Sequence, residues 1–123
     1  MKKIIYLLTT ILFTFFSYNS LIASEKKDQY SCKPKHAAAI RSNGIQTFKI
    51  KGDEKPVLLS IYKGFLETND MKYKLYEAGG RAFAFSPERA WVHFQDITVL
   101  DNGQLSFVMA VNSSISRYLC DKK

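Results

Sequence analysis

The sequence predicts an all-β fold, either a small antiparallel β-barrel or a two-sheet sandwich, built from about eight short strands. Short segments of alternating or β-branched residues recur along the chain, and turn-forming dipeptides separate them. No stretch after the first 23 residues keeps a helical period for three turns. The two cysteines lie near opposite ends of the predicted domain. If they are bonded, the first and last strands must be close neighbours, which favours a closed barrel.

Residues 1–23 are predicted to be a secretory signal peptide. Lys2 and Lys3 precede an apolar run of about thirteen residues, and the small residue Ala23 stands before the expected cleavage point. The run is shorter than the roughly twenty residues that a membrane-spanning helix needs. We therefore expect a protein exported by a bacterium, either periplasmic or secreted.

The mature chain is expected to be a single β domain, residues 24–123, without a membrane anchor. Ser24 stands where a bacterial lipoprotein would carry its lipidated cysteine. Removal of the signal peptide, with its two lysines, would lower the formal net charge from +7 to +5. The remaining charges are scattered and form no basic stripe, so we expect no nucleic-acid partner. The oligomeric state is left open.

Cys32 and Cys120 are the only cysteines in the chain, and we expect them to form a disulfide. An oxidising compartment favours the bond, and redox catalysts usually hold their cysteines at CxxC spacing instead. Closing a loop of 88 residues restrains the unfolded chain by about 4 to 5 kcal/mol in the chain-entropy estimate. The disulfide is therefore expected to join the terminal strands and stabilise a small core.

The strand segments are predicted from alternation and from the turn signals between them. Asn43-Gly44 and Asn102-Gly103 predict type I′ hairpin turns, because Asn and Gly tolerate positive φ. A break is expected near Asp96. The predicted segments are 29–33, 36–41, 45–51, 57–62, 65–68, 71–76, 82–86, 90–100, 105–111 and 115–120.

Alternation also predicts which side chains share a strand face, because successive side chains of a strand point to opposite sides. Three apolar faces are expected to form the core. They are Met71, Tyr73 and Leu75; Phe83 and Phe85; and Leu105, Phe107, Met109 and Val111. Lys72 and Lys74 are expected to face water.

No catalytic or cofactor motif stands out downstream of the signal peptide. The sequence contains no nucleophile elbow, phosphate loop, dinucleotide fingerprint, HExxH or CxxC. We therefore expect no enzyme, no cofactor and no metal. His93 and Asp96, three residues apart in an extended strand, would point to opposite faces and so would make a poor pair of metal ligands.

Trp91 and His93 are the most interesting candidate binding residues. Alternation places them on one face with Gln95, while Val92 and Phe94 take the other face. If Val92 and Phe94 point into the core, Trp91 and His93 form a surface patch. Tryptophan is a favoured interface anchor. The simpler alternative is that Trp91 packs under a loop and His93 is merely solvated.

The chain resembles the periplasmic inhibitors of C-type lysozyme at a few positions. Those inhibitors are small β-barrels that begin with an aromatic-x-Cys motif and end near a second Cys, here Tyr30-Ser31-Cys32 and Cys120. Their inhibitory loop has the form Ser-Gly-x-x-Tyr, and a Trp follows about ten residues later. Here Ala78-Gly79-Gly80-Arg81-Ala82 is followed by Trp91.

This resemblance implies that Gly79, Arg81 and Trp91 take part in binding. Ala78 and Ala82 stand where the family has Ser and Tyr, so two of its inhibitory side chains are missing. More broadly, the chain resembles small exported bacterial proteins of unknown function that begin with aromatic-x-Cys.

Four functions remain open from the sequence. The first is a non-catalytic binding protein of the envelope, whose partner is an exported or host protein. The second, a sharper version of the first, is a periplasmic inhibitor of lysozyme or another hydrolase. The third is a carrier with an apolar ligand inside the barrel. The fourth is an enzyme that uses His93 with an acid such as Asp96 or Glu88.

Overall fold

The computed structural model describes residues 26–69 and 71–123, so the predicted signal peptide lies outside the described residues. The described chain forms nine strands and one short 3-10 helix, η1. The strands are β1 (Asp28–Arg41), β2 (Gly44–Phe48), β3 (Val57–Tyr62), β4 (Phe65–Glu67), β5 (Lys72–Ala78), β6 (Arg81–Phe85), β7 (Val92–Val99), β8 (Leu105–Val111) and β9 (Ser114–Lys122), and η1 spans Pro87–Arg89.

Eight of the strands close into an antiparallel barrel, which confirms the barrel and not the sandwich. Hydrogen-bonded neighbours run from β1 through β3, β4, β5, β6, β7, β8 and β9, and β9 pairs with β1 again. Strand β2 is additional and pairs with β1. Closure leaves no free edge within this ring of eight strands.

Strand β1 is long enough to pair with three other strands. One of its edges pairs with β9 over residues 30–39. Since that edge is occupied, the first part of β1 pairs with β3 on the other edge, and the last part pairs with β2 on that same edge. Strands β2 and β3 therefore lie end to end beside β1, and β2 extends the sheet beyond the barrel.

Three predicted strand segments are wrong. Segment 45–51 ends at Phe48, and the other two errors have local reasons. Segments 29–33 and 36–41 are one strand, with a register shift between Pro34 and His36 that leaves Lys35 as a bulge. Pro34 lacks a backbone N–H, and a bulge is one of the places where a strand accommodates proline. Strand β7 begins at Val92 and not at Ala90, because η1 occupies the preceding residues.

The break predicted near Asp96 is a bulge within the continuous strand β7. Asp96 has a φ of 51°, and the pairing of β7 with β8 shifts register between Gln95 and Thr98. The pairing of β6 with β7 shifts at the same place, between Ala82 and Ala84. An inserted residue of this kind bends a strand and increases its twist, which small barrels need in order to close.

Both predicted hairpins exist, but their predicted type I′ turns are wrong. Among the non-glycine residues that the structure describes, only Lys63, Asp96 and Asn112 have positive φ, so neither Asn43 nor Asn102 does. In the second hairpin the Gly103 N–H donates to the Leu100 carbonyl at 2.9 Å, and Gly103 alone in that turn takes a positive φ, of 86°. This pattern fits a longer loop that ends in a left-handed glycine.

The barrel interior is filled by side chains from all around the ring. Leu59, Ile61, Leu66, Leu105 and Phe107 are buried there. Aromatic side chains continue the packing, with ring centroids 4.8 Å apart for Tyr73 and Phe94, 5.5 Å for Phe94 and Phe107, and 5.1 Å for Phe107 and Tyr118. Burial raises the pKa of the Tyr118 hydroxyl. The faces predicted for β5 and β8 are therefore core faces, as expected.

The Cys32–Cys120 disulfide joins β1 to β9, as predicted. The two residues are direct partners in the antiparallel ladder, and their Cα atoms are 3.9 Å apart. Both cysteines are fully buried within the core. The bond therefore holds together the two strands whose pairing closes the barrel. A disulfide in a domain of this size is consistent with an oxidising compartment outside the cytoplasm.

No helix among the described residues has the length and apolar character to cross a membrane.

We expect replacement of both cysteines, Cys32→Ala with Cys120→Ala, to lower the free energy of unfolding by up to about 4 to 5 kcal/mol, because the 88-residue loop is no longer closed in the unfolded chain. Urea denaturation followed by tryptophan fluorescence measures the change. Reductant should destabilise the wild-type protein to a similar extent and leave the double variant unchanged. Equal midpoints for both proteins without reductant would contradict a stabilising role of the bond.

Candidate functional site

The most distinctive surface feature is a stack of four aromatic rings outside the barrel, on β5, β6 and β7. The rings of Tyr76, Phe83, Phe85 and His93 form this outer aromatic face. Ring centroids are 5.4 Å apart for Tyr76 and Phe83, 5.2 Å for Tyr76 and Phe85, and 6.2 Å for Phe85 and His93. The interplanar angles are 14°, 18° and 25°, so the rings are nearly parallel.

Strand register brings these rings together. Tyr76 lies directly opposite Phe83, and Phe85 lies directly opposite His93. Tyr76 and Phe85 are diagonal neighbours across the β5–β6 pair. Aromatic side chains on opposite or diagonal positions of a sheet face are close enough to stack.

The prediction that Phe83 and Phe85 belong to the core is wrong. Their neighbours Ala82 and Ala84 point inward instead, with 4% and 1% of their surface exposed, and both phenylalanines are only partly buried. Ala-Phe-Ala-Phe is apolar on both faces, so alternation alone does not say which face is inside. Tyr73 on β5 and Phe94 on β7, the two strands paired with β6, already occupy the interior there, and small alanine side chains fit beside those rings.

Lysines accompany the aromatic residues on the outer surface. Lys74 Nζ lies 5.4 Å from the centre of the Tyr76 ring, within the range of a cation–π interaction. Lys74 is the strand partner of Phe65 on β4. Lys72 Nζ lies 5.7 Å from the centre of the Phe65 ring. The surface therefore presents aromatic rings together with ammonium groups.

A groove of about 320 Å³ lies beside the outer aromatic face, where the pairing of β6 with β7 shifts register at the bulge near Asp96. Arg81, Phe83 and Phe85 line one side of the groove. His93, Gln95 and Asp96 line the other. Arg81 and His93, two residues predicted for binding, therefore line the same groove.

His93 and Asp96 each form a hydrogen bond with another residue. His93 Nε2 donates a hydrogen bond to the Ala90 carbonyl oxygen at 2.6 Å, which leaves Nδ1 as the acceptor of the neutral ring. An Asp96 carboxylate oxygen accepts a hydrogen bond from Arg117 at 3.0 Å, and Arg117 also donates to the Ser106 hydroxyl. These contacts orient the polar groups of the groove. Within residues 26–69 and 71–123, no three His, Cys, Asp or Glu side chains are grouped to hold a metal ion.

Trp91 and Gly79, the other two residues predicted for binding, are not among the residues that line the groove. The Trp91 side chain is 53% exposed, just before β7, and its backbone carbonyl accepts a hydrogen bond from the Asn112 N–H at 3.0 Å. Gly79 and Gly80 form the two-residue turn between β5 and β6, with φ values of 59° and 76°. A side chain at either glycine would meet no atom within 4 Å, so backbone conformation and not crowding favours glycine there.

Sequence reasoning missed three members of the outer aromatic face, namely Tyr76, Phe83 and Phe85. One signal was present, because Tyr76 shares its strand face with Lys72 and Lys74, which are expected to face water. A phenylalanine opposite that face in the β5–β6 hairpin would then be outside as well. The hairpin register was needed to draw that conclusion.

A larger cavity, of about 560 Å³, lies outside the barrel near β2. Its lining is mainly apolar, including Phe48, Ile50, Val108 and Ile115, and includes the basic residues Lys35, His36 and Arg117.

We expect Ala84→Leu to lower the free energy of unfolding by about 1 to 3 kcal/mol, because the added side-chain carbon atoms enter a filled core. Ala78→Leu, at an exposed position of β5, is the matched control and should stay within about 0.5 kcal/mol of wild type. Urea denaturation compares the two variants. Equal effects would contradict the inward orientation of Ala84.

No protein-family model matches this chain, and no curated protein or solved structure is significantly similar to it.

Proposed function

We propose that this is an exported, non-catalytic binding protein of the bacterial envelope, and that it recognises a protein partner through the outer aromatic face. The observation that carries the proposal is the stack of Tyr76, Phe83, Phe85 and His93 on the solvent side of the barrel. The predicted signal peptide and the disulfide support export.

The outer rings are not needed to fill the core. Inside the barrel, Tyr73, Phe94 and Phe107 pack against one another without them. The outer side of a barrel strand is ordinarily polar, and clustered apolar side chains on a protein surface commonly mark an interaction site. Aromatic and arginine side chains also contribute strongly to binding at protein interfaces.

The charges around the face indicate the chemistry of the partner. Lys74 lies over the Tyr76 ring, and Arg81 lines the groove beside the aromatic stack. Lys72 lies over the Phe65 ring and is already paired with Glu67 at 3.5 Å. The predicted mature chain carries a formal net charge of +5, since the signal peptide holds two of the lysines. A partner that combines apolar side chains with carboxylates would complement this surface.

We expect the exported protein to capture a saturable partner from periplasmic extract or from a panel of secreted hydrolases, with binding measured by calorimetry. Phe85→Ser and Trp91→Ala should each weaken binding at least about tenfold if the residue is an interface anchor. Val99→Ala, an exposed β7 position outside the groove, is the matched control and should bind like wild type. A partner whose affinity is unchanged by Phe85→Ser and Trp91→Ala would show that recognition uses another surface.

Inhibition of lysozyme or another hydrolase is the second candidate function. The hairpin that carries Gly79 and Arg81 is exposed at its turn, which is what a loop entering an enzyme cleft requires. Ala82, which stands where the lysozyme inhibitors have Tyr, points into the barrel. Any cleft contact would therefore come from Arg81 and the turn itself.

We expect a hydrolase inhibited by this protein to be released by Arg81→Ala, because Arg81 is the side chain adjacent to the turn that can reach a cleft. Enzyme activity titrated with the wild-type and variant proteins measures the effect, with Lys63→Ala in the β3–β4 turn as the control. Full activity of lysozymes and proteases at saturating wild-type protein would exclude this function for the enzymes tested.

The carrier and the enzyme are less well supported by the described contacts. Core side chains occupy the barrel interior, so a carried ligand would have to use an outer cavity such as the one near β2. For catalysis, His93 Nε2 is engaged by Ala90 and Asp96 is engaged by Arg117. Glu88 lines a different cavity, with Glu67 and Lys72.

A further inference from the structure

Of the nine strands in the described residues, β2 alone lies outside the closed ring, and it presents an open edge. Among the described residues, β2 pairs with β1 alone. All five of its residues are exposed. The edge facing away from β1 therefore offers backbone N–H and C=O groups that only another extended strand can pair in a regular ladder.

Nothing in the composition of β2 protects this edge. Its sequence is Gly-Ile-Gln-Thr-Phe, without a charged residue or a proline. Exposed edge strands usually carry lysine, proline or a bulge, because an unprotected edge pairs with other chains. An uncharged, partly apolar edge is typical of a strand that has a partner.

Each face of β2 carries one large exposed apolar side chain. Ile45 and Ile40 lie directly opposite each other across β1 and β2, and they are 75% and 60% exposed. Phe48 lies on the other face of β2 and is 42% exposed. Pairing along the free edge would cover part of both faces.

We propose that the partner of β2 is the β2 strand of a second copy of this chain, paired antiparallel across a two-fold axis at Gln46. Antiparallel pairing of a strand with itself has this symmetry, so one surface serves both copies. The two sheets then become one continuous sheet. This proposal is independent of the proposed function, which uses the opposite strands of the barrel.

The side-chain register at this axis is self-complementary. Ile45 lies opposite Thr47 of the second copy, so a β-branched pair extends the surface formed with Ile40. Gly44 lies opposite Phe48 of the second copy, and a phenylalanine ring can cover the backbone of a glycine across a strand pair. Lys49, the nearest charged residue after the strand, falls opposite Asn43, so no like charges meet.

Sedimentation equilibrium of the exported protein tests the proposal. We expect twice the monomer mass for the wild-type protein and the monomer mass for Ile45→Lys, because a charge on the free edge opposes pairing. Val99→Lys, at an exposed position of similar character on β7, is the control and should remain a dimer. Circular dichroism should show that both variants are folded, since both positions are exposed.

A cysteine at the axis tests the register. Gln46→Cys should form a disulfide-linked dimer under mild oxidation, because direct partners in an antiparallel ladder have Cα atoms within disulfide range. Val99→Cys should not form one. A monomer at all concentrations, a dimer that survives Ile45→Lys, or equal crosslinking at both positions would overturn the proposal. A monomer that binds an extended peptide along β2 would assign the edge to a different protein.

Discussion

The pairing of β1 with β9 is the interaction on which the rest of this structure depends. It converts a row of neighbouring hairpins into a closed ring, and it removes the two edges that an open sheet would expose. Cys32 and Cys120 lie opposite each other within that pairing and bond it covalently. A domain of about a hundred residues has a small core, so a disulfide between its first and last strands is well placed to stabilise it.

Closure of the barrel also determines which side chains of β6 are exposed. A closed ring of eight strands leaves an interior just wide enough for side chains to fill. Once Tyr73, Phe94 and Phe107 occupy that interior, β6 contributes Ala82 and Ala84 to it. The phenylalanines of β6 are then on the outside, where Tyr76 and His93 stack on them. The candidate binding face is thus a consequence of how the core is filled.

The barrel presents two surfaces of different character. The outer aromatic face combines aromatic rings with neighbouring lysine and arginine side chains, which suits a partner with both apolar and acidic groups. The edge of β2 combines free backbone groups with uncharged side chains, which suits another strand. Because β1 is long enough to pair with β2 after it has paired with β3, the edge can exist without opening the barrel.

The sequence by itself determined the all-β class and the core faces of β5 and β8, which follow from local alternation, and the disulfide, which is the only possible cysteine pair. Only the tertiary structure decided which side of β6 is inside, since Ala-Phe-Ala-Phe is apolar on both faces and its orientation depends on the rings that β5, β7 and β8 place inside the barrel. Tertiary structure also decided that 36–41 continues β1 past a bulge and that β2 lies outside the ring. Both depend on pairing with β9 and β3, which no local pattern in those residues encodes.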